Sequence, residues 1–194
     1  MKAPLFLSSV IRPGLAILAD STALPVQSPE AEVLLLAIAT QESALRHRHQ
    51  VGGPARGFWQ FERMGGLNGV LNHARTRDNL RAVCGALALP GEIDGLWEAL
   101  PWCEPLQVAL ARLLLWSDPR PLPAIGAKDA AWDCYLRNWR PGKPSRTRWD
   151  AAYDGAVEVC RDGAQLDLTE PTDPVTILDH IAASLTTLRR MIRP

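Results

Sequence analysis

The chain lacks a surplus of charge of either sign, since 21 Lys and Arg match 21 Asp and Glu. No strong long-range field therefore draws it to nucleic acid or to an anionic membrane. Cysteine is sparse: Cys84, Cys103, Cys134 and Cys160 lie far apart and form no CxxC pair. That spacing argues against a disulfide framework and for reduced thiols, mostly in the core. No apolar run approaches the length of a membrane-spanning helix. The start, MKAPLFLSSVIRPGLAILAD, has the early lysine and apolar stretch of a signal peptide. Arg12, Pro13 and Gly14 interrupt it and no convincing cleavage site follows, which points to synthesis in the cytoplasm without a signal peptide. Internal repeats and low-complexity tracts are lacking too, and 194 residues suffice for one domain, 1–194, with a sizeable core.

What is present is mostly helical punctuation. Ser28 precedes Pro29 and Glu30, an N-cap followed by a first-turn proline and an acid at the positive helix end. The helix that follows is expected to run to about residue 44, and its middle, Val33 to Ala39, is apolar all round, as in a helix buried within a domain. A short helix is expected over 15–20 after Pro13-Gly14. Further helices are expected at about 77–88 (capped by Thr76 and stopped by Pro90-Gly91), 105–116, 128–139, and from Thr147 through 159. LTEPTDP reads as a linker, and a final helix over about 174–192 has an apolar face. GFWQFE is the one plausible extended stretch. The fold class expected is mainly α, with at most a small β-hairpin.

Residues 40–62, TQESALRHRHQVGGPARGFWQFE, raise the chemical question. Glu42 lies four residues beyond Ile38 and seven beyond Leu35, so it shares their inward helix face. A carboxyl against apolar surface loses hydration of its charged form, and the negative helix end pushes its pKa the same way, upward. An acid still protonated near neutral pH can donate to a leaving oxygen, as glycosidic cleavage requires. The Gly52-Gly53-Pro54 turn lets the chain reverse, which offers Gln60 to the acid or a sugar amide and Trp59 as a flat face.

Gln41-Glu42-Ser43 followed by Gly57-Phe58-Trp59-Gln60 resembles the paired motifs of the lytic transglycosylase and goose-type lysozyme superfamily. A third motif of that family, Ala-Tyr-Asn on a later helix, is echoed by AAWDCYLRNWRPGKP. The longer string is similar to variants associated with bacteriophage particles, and the motif-bearing part covers residues 30–142. The family's Leu-Met before the glutamine is Phe58-Trp59 here, and Asn138 follows Tyr135 by three residues rather than one. The resemblance implies a lysozyme-like, two-lobed helical domain that cleaves peptidoglycan glycan strands without metal or cofactor. Glu42 would be general acid and then base, with Ser43 and Gln60 positioning it or the substrate. Tyr135 would be the third-motif tyrosine, with Trp132 in an equally open register. Hydrolysis and 1,6-anhydro ring closure both remain open. So does a catalytically inactive virion or glycan-binding protein on the same fold, with other phage virion proteins as partners.

Several residue types need weighing against plainer roles. Trp116, Trp132 and Trp149 at helical spacing read as core, whereas Trp59, Trp139 and Trp102 sit beside turns and suit a sugar groove. Glu62 shares a side with Gln60 if the stretch is a strand, making it a candidate second acid beside Asp129 and Asp133. His47, His49 and His73 do not make a convincing zinc set, because alternate helix residues point apart. WRPGKPSRTRW reads as a rigid loop lining the groove rather than a phosphate grip.

Overall fold

The computed structural model describes the backbone of residues 1–169 and the side chains of 1–163. Two compact units divide the chain, Met1–Cys160 and Arg161–Pro194, and the first carries the features discussed below. The final helix expected over 174–192 lies outside the described residues. Among the described residues the protein is mainly α, with no strand. Eight helices follow in order: α1 (Ala3–Thr22), α2 (Pro29–Ser43), α3 (Asn68–Asn72), α4 (Arg77–Ala86), α5 (Ile93–Ala99), α6 (Glu104–Ser117), α7 (Lys128–Trp139) and α8 (Arg146–Thr169).

The amino-terminal helix departs most from expectation. Pro13-Gly14 does not start it but lies inside it. A proline within a helix clashes with the carbonyl one turn back and donates no hydrogen bond. The chain absorbs this with a π-helical turn, Leu7–Ile11, in which the Arg12 amide donates to the Leu7 carbonyl five residues back. The result is a helix long and apolar enough by length and composition to cross a membrane, contrary to the sequence reading. In this structure Phe6, Leu7, Ile11, Leu15 and Leu18 are buried in the core. Gly14 is required at the crossing with α6, where a Cβ would lie 2.6 Å from that of Val108.

The rod at the centre is α2. Ser28 caps it by accepting from the Ala31 amide at 3.2 Å, and Pro29, Glu30 and Glu32 fill its first turn as the positive helix end favours. Every residue from Val33 to Ala39 is buried. Each large side chain of this run contributes about 1.5–3 kcal/mol by leaving water, so the helix is held by packing on all sides. It ends where Ala44 and Leu45 both take left-handed backbone, φ 51° and 54°. The remaining expected helices lie within a few residues of their predicted bounds, except that α8 runs on to Thr169 through the start of the expected linker. Thr76 does not cap α4 with its side chain; its hydroxyl donates to the Val70 carbonyl at 2.6 Å instead.

GFWQFE forms no strand. Isolated antiparallel bridges join His49 to Arg56 and Arg56 to Phe61, and the segment between is a tight turn with Gln60 at φ 49°. Gly57 has φ 75° and packs against Gln107, whose Oε1 accepts from the Phe58 amide at 2.7 Å. That side-chain bond from α6 fixes the turn.

Candidate active site

Glu42 occupies the last turn of α2 and is partly buried. The hydroxyl of Tyr135, on α7, donates to its Oε1 at 2.6 Å. Burial raises the Glu42 carboxyl above the ordinary glutamate value, while the Tyr135 hydrogen bond and the positive charge of Arg148 oppose it in part. Burial, and then the charge of Glu42, push the Tyr135 hydroxyl well above the usual tyrosine range, so it remains a donor.

Tyr135 is held from behind. Its ring stacks on Trp149 of α8 with centroids 5.0 Å apart, and Trp132 packs against both. Of the two residues weighed in the sequence, Tyr135 faces Glu42 and Trp132 joins the aromatic cluster.

Glu42 and Tyr135 line a cleft of about 730 Å³ together with Gln60, Glu62 and Trp139. Gln60 is anchored within its own turn, its Nε2 donating to the Gly57 carbonyl at 2.7 Å. Trp139 donates its indole N–H to the Trp59 carbonyl at 3.0 Å, which ties the end of α7 to the turn. Glu42 and Glu62 are the carboxylates among the lining residues. Glu62 reaches the cleft from the end of the turn, not from a strand.

Two expected site residues face elsewhere. Trp59 is fully buried and donates its indole N–H to the Leu35 carbonyl of α2 at 3.0 Å, so its ring packs in the core and offers no face to a sugar. Ser43 is buried, its hydroxyl turned back onto the Ala39 carbonyl at 2.9 Å, and it does not line the cleft. Both follow from the burial of α2 on every side. Trp102 is exposed beside His49, and Asp129 pairs with Arg146. His73 borders the cleft, yet among the described residues no three His, Cys, Asp or Glu side chains come together as a metal would need.

The structure adds residues that sequence reasoning did not assign to the acid. Arg137, Arg140, Lys143 and Arg148 line the cleft; Arg137 is paired with Asp118 at 3.1 Å, which leaves three cations against two carboxylates on the wall. The loop after α7 and the start of α8 supply most of them, from the stretch WRPGKPSRTRW. Gln41 also lines the cleft; its Nε2 donates to the Ser145 carbonyl at 3.3 Å while its buried Oε1 has no partner.

Compared with protein-family models, with curated proteins and with solved structures, the chain matches none.

Proposed function

We propose that this chain is a lysozyme-like protein of the kind carried by phage particles, and that it cleaves peptidoglycan glycan strands with Glu42 as general acid and then base. The observation that carries the proposal is the environment of Glu42. It is a carboxyl raised by burial, held by a tyrosine hydroxyl, on the wall of a cleft large enough for sugar rings. Protonated Glu42 donates to the oxygen linking N-acetylmuramic acid to N-acetylglucosamine as the C1–O bond breaks and an oxocarbenium-like sugar forms. Tyr135 occupies Oε1, leaving Oε2 for the proton transfer, and stabilises the carboxylate that results. That carboxylate then takes a proton either from the muramyl 6-hydroxyl, closing a 1,6-anhydro ring, or from water. The basic wall suits a polymer whose peptide stems carry carboxylates.

Clearing of a cell-wall suspension tests the reading. Glu42→Gln keeps the shape and removes the transferable proton, and the expected loss of rate is about 10²–10⁴-fold. Equal clearing by both proteins, or clearing by neither, overturns it. Mass spectrometry of the digest separates the two outcomes of the base step, because anhydro and reducing ends differ by the elements of water.

A further inference from the structure

A second cavity, of about 610 Å³, lies beside the amino-terminal end of α2, between Ser28 and Glu30 on one side and the carboxyl-terminal half of α6 on the other. Arg112 borders it and is 3% exposed. Its Nε donates to the Val26 carbonyl at 2.8 Å, whereas its buried Nη1 has no partner. Trp116 lies beside the guanidinium, ring centroid to Cζ 5.2 Å, and Arg75 approaches the same ring at 5.8 Å. Burial lowers Arg112 to about 10, so the side chain is still charged at neutral pH. Among the described residues no carboxylate pairs with it. The ionisable group that does act on it is the Cys134 thiol, which burial raises and keeps neutral.

A buried charge without a counter-charge is costly by several kcal/mol. An indole face and one carbonyl offset part of that. The cavity supplies room for the missing anion. Of the charges around it, Arg75, Arg112 and Arg120 stand against Glu30 and Asp118, which leaves one net positive charge. Asp118 is already held by Arg137 at 3.1 Å and by Arg120 at 3.7 Å. Leu115, Trp116 and Leu122 make the remaining wall apolar.

We infer that this cavity binds a monocarboxylate with an apolar body, its carboxylate on Arg112 and its apolar part along Trp116. A single carboxylate suits the one buried guanidinium, and the apolar wall of Leu115, Trp116 and Leu122 favours an acid with an apolar body over inorganic phosphate. The carboxylate belongs either to a free small acid or to the end of a peptide. The site is distinct from the Glu42 cleft and does not depend on the glycan reading.

Titration of the full chain with phenylacetate and with N-acetylphenylalanine, following the Trp116 indole N–H by NMR, tests the inference. Saturable shifts are expected with at least one acid, none with neutral phenylacetamide, and weaker ones with inorganic phosphate. Tighter binding of N-acetylphenylalanine identifies a peptide terminus as the source, and tighter binding of phenylacetate a free acid. Arg112→Gln is expected to weaken binding on the order of 30-fold, the loss of a buried charge-assisted pair. No saturable shift with either acid, equal binding of phenylacetamide, tighter binding of phosphate, or unchanged affinity in Arg112→Gln overturns it. If Arg112→Gln does not fold, the comparison of the two acids with phenylacetamide on the unaltered protein decides alone.

Discussion

The two ends of α2 hold ionisable groups in opposite circumstances. At the carboxyl-terminal end Glu42 is partly buried and has a tyrosine hydroxyl on one oxygen and an arginine charge nearby. Near the amino-terminal end Arg112 is buried more deeply, with one carbonyl, an indole face and an unused Nη1. The contrast separates two uses of burial. Where a donor accompanies the buried group, its ionisation is tuned and both of its states are tolerated. Where no counter-charge accompanies it, the group stays charged and the deficit becomes affinity for something outside the chain.

Tyr135→Phe breaks the first arrangement and has the largest expected effect on stability. It removes the donor to Glu42, at a cost of about 1–3 kcal/mol near neutral pH. The Tyr135 bond lowers the Glu42 pKa, so its loss moves that pKa further up, and the cost fades in acid once Glu42 is protonated. Thermal unfolding of both proteins across pH checks the fading, and a cost that stays constant into acid contradicts it.

Arg112→Met addresses the other end. Truncating a paired buried arginine costs about 3–5 kcal/mol. With no counter-charge to strand, this substitution is expected to fall between neutral and about 2 kcal/mol stabilising. Denaturant unfolding measures it, and a loss above about 3 kcal/mol would show that Arg112 has a counter-charge in the folded chain besides the Val26 carbonyl it already bonds.

The smallest effect is that of Glu42→Gln on stability, as distinct from activity. A carboxyl whose folded pKa is raised contributes stability that is complete below its unfolded pKa and is lost as pH rises through the folded one. Glu42→Gln is therefore expected to be more stable than the parent at neutral pH, with the advantage vanishing once the pH falls through the ordinary glutamate range. A melting-temperature difference that grows towards acid would contradict the direction of the Glu42 shift.

Much of this was legible in the residues. Ser28-Pro29-Glu30 and the apolar run after it specify α2, because cap, proline and all-round hydrophobicity agree. Glu42 was legible as a carboxyl on the inward helix face, and the rise in its pKa was expected from desolvation. The length of α1 was not legible, since Pro13-Gly14 reads as a helix start unless a π turn can be foreseen. The short helices α3 and α5 offer too few residues for a period to show. GFWQFE alternates like a strand, yet Gly57 and the left-handed Gln60 close it into a turn around Gln107. Trp59 was expected on the groove because it sits beside a turn, but that turn carries its ring into the core, where its indole N–H bonds the Leu35 carbonyl. Arg112 in VALARLLLWS resembles an ordinary polar position, because its carbonyl partner, Val26, lies 86 residues earlier and leaves no local signal.

The aromatic stack behind the acid has a spectroscopic consequence. Tyr135 lies 5.0 Å from Trp149 with ring planes 13° apart, and the same tyrosine holds Glu42. One phenol ring therefore separates the ionising carboxyl from an indole, and the Trp149 side-chain N–H resonance, resolved by NMR from those of the six other tryptophans, gives a gauge of whether the proton is in place.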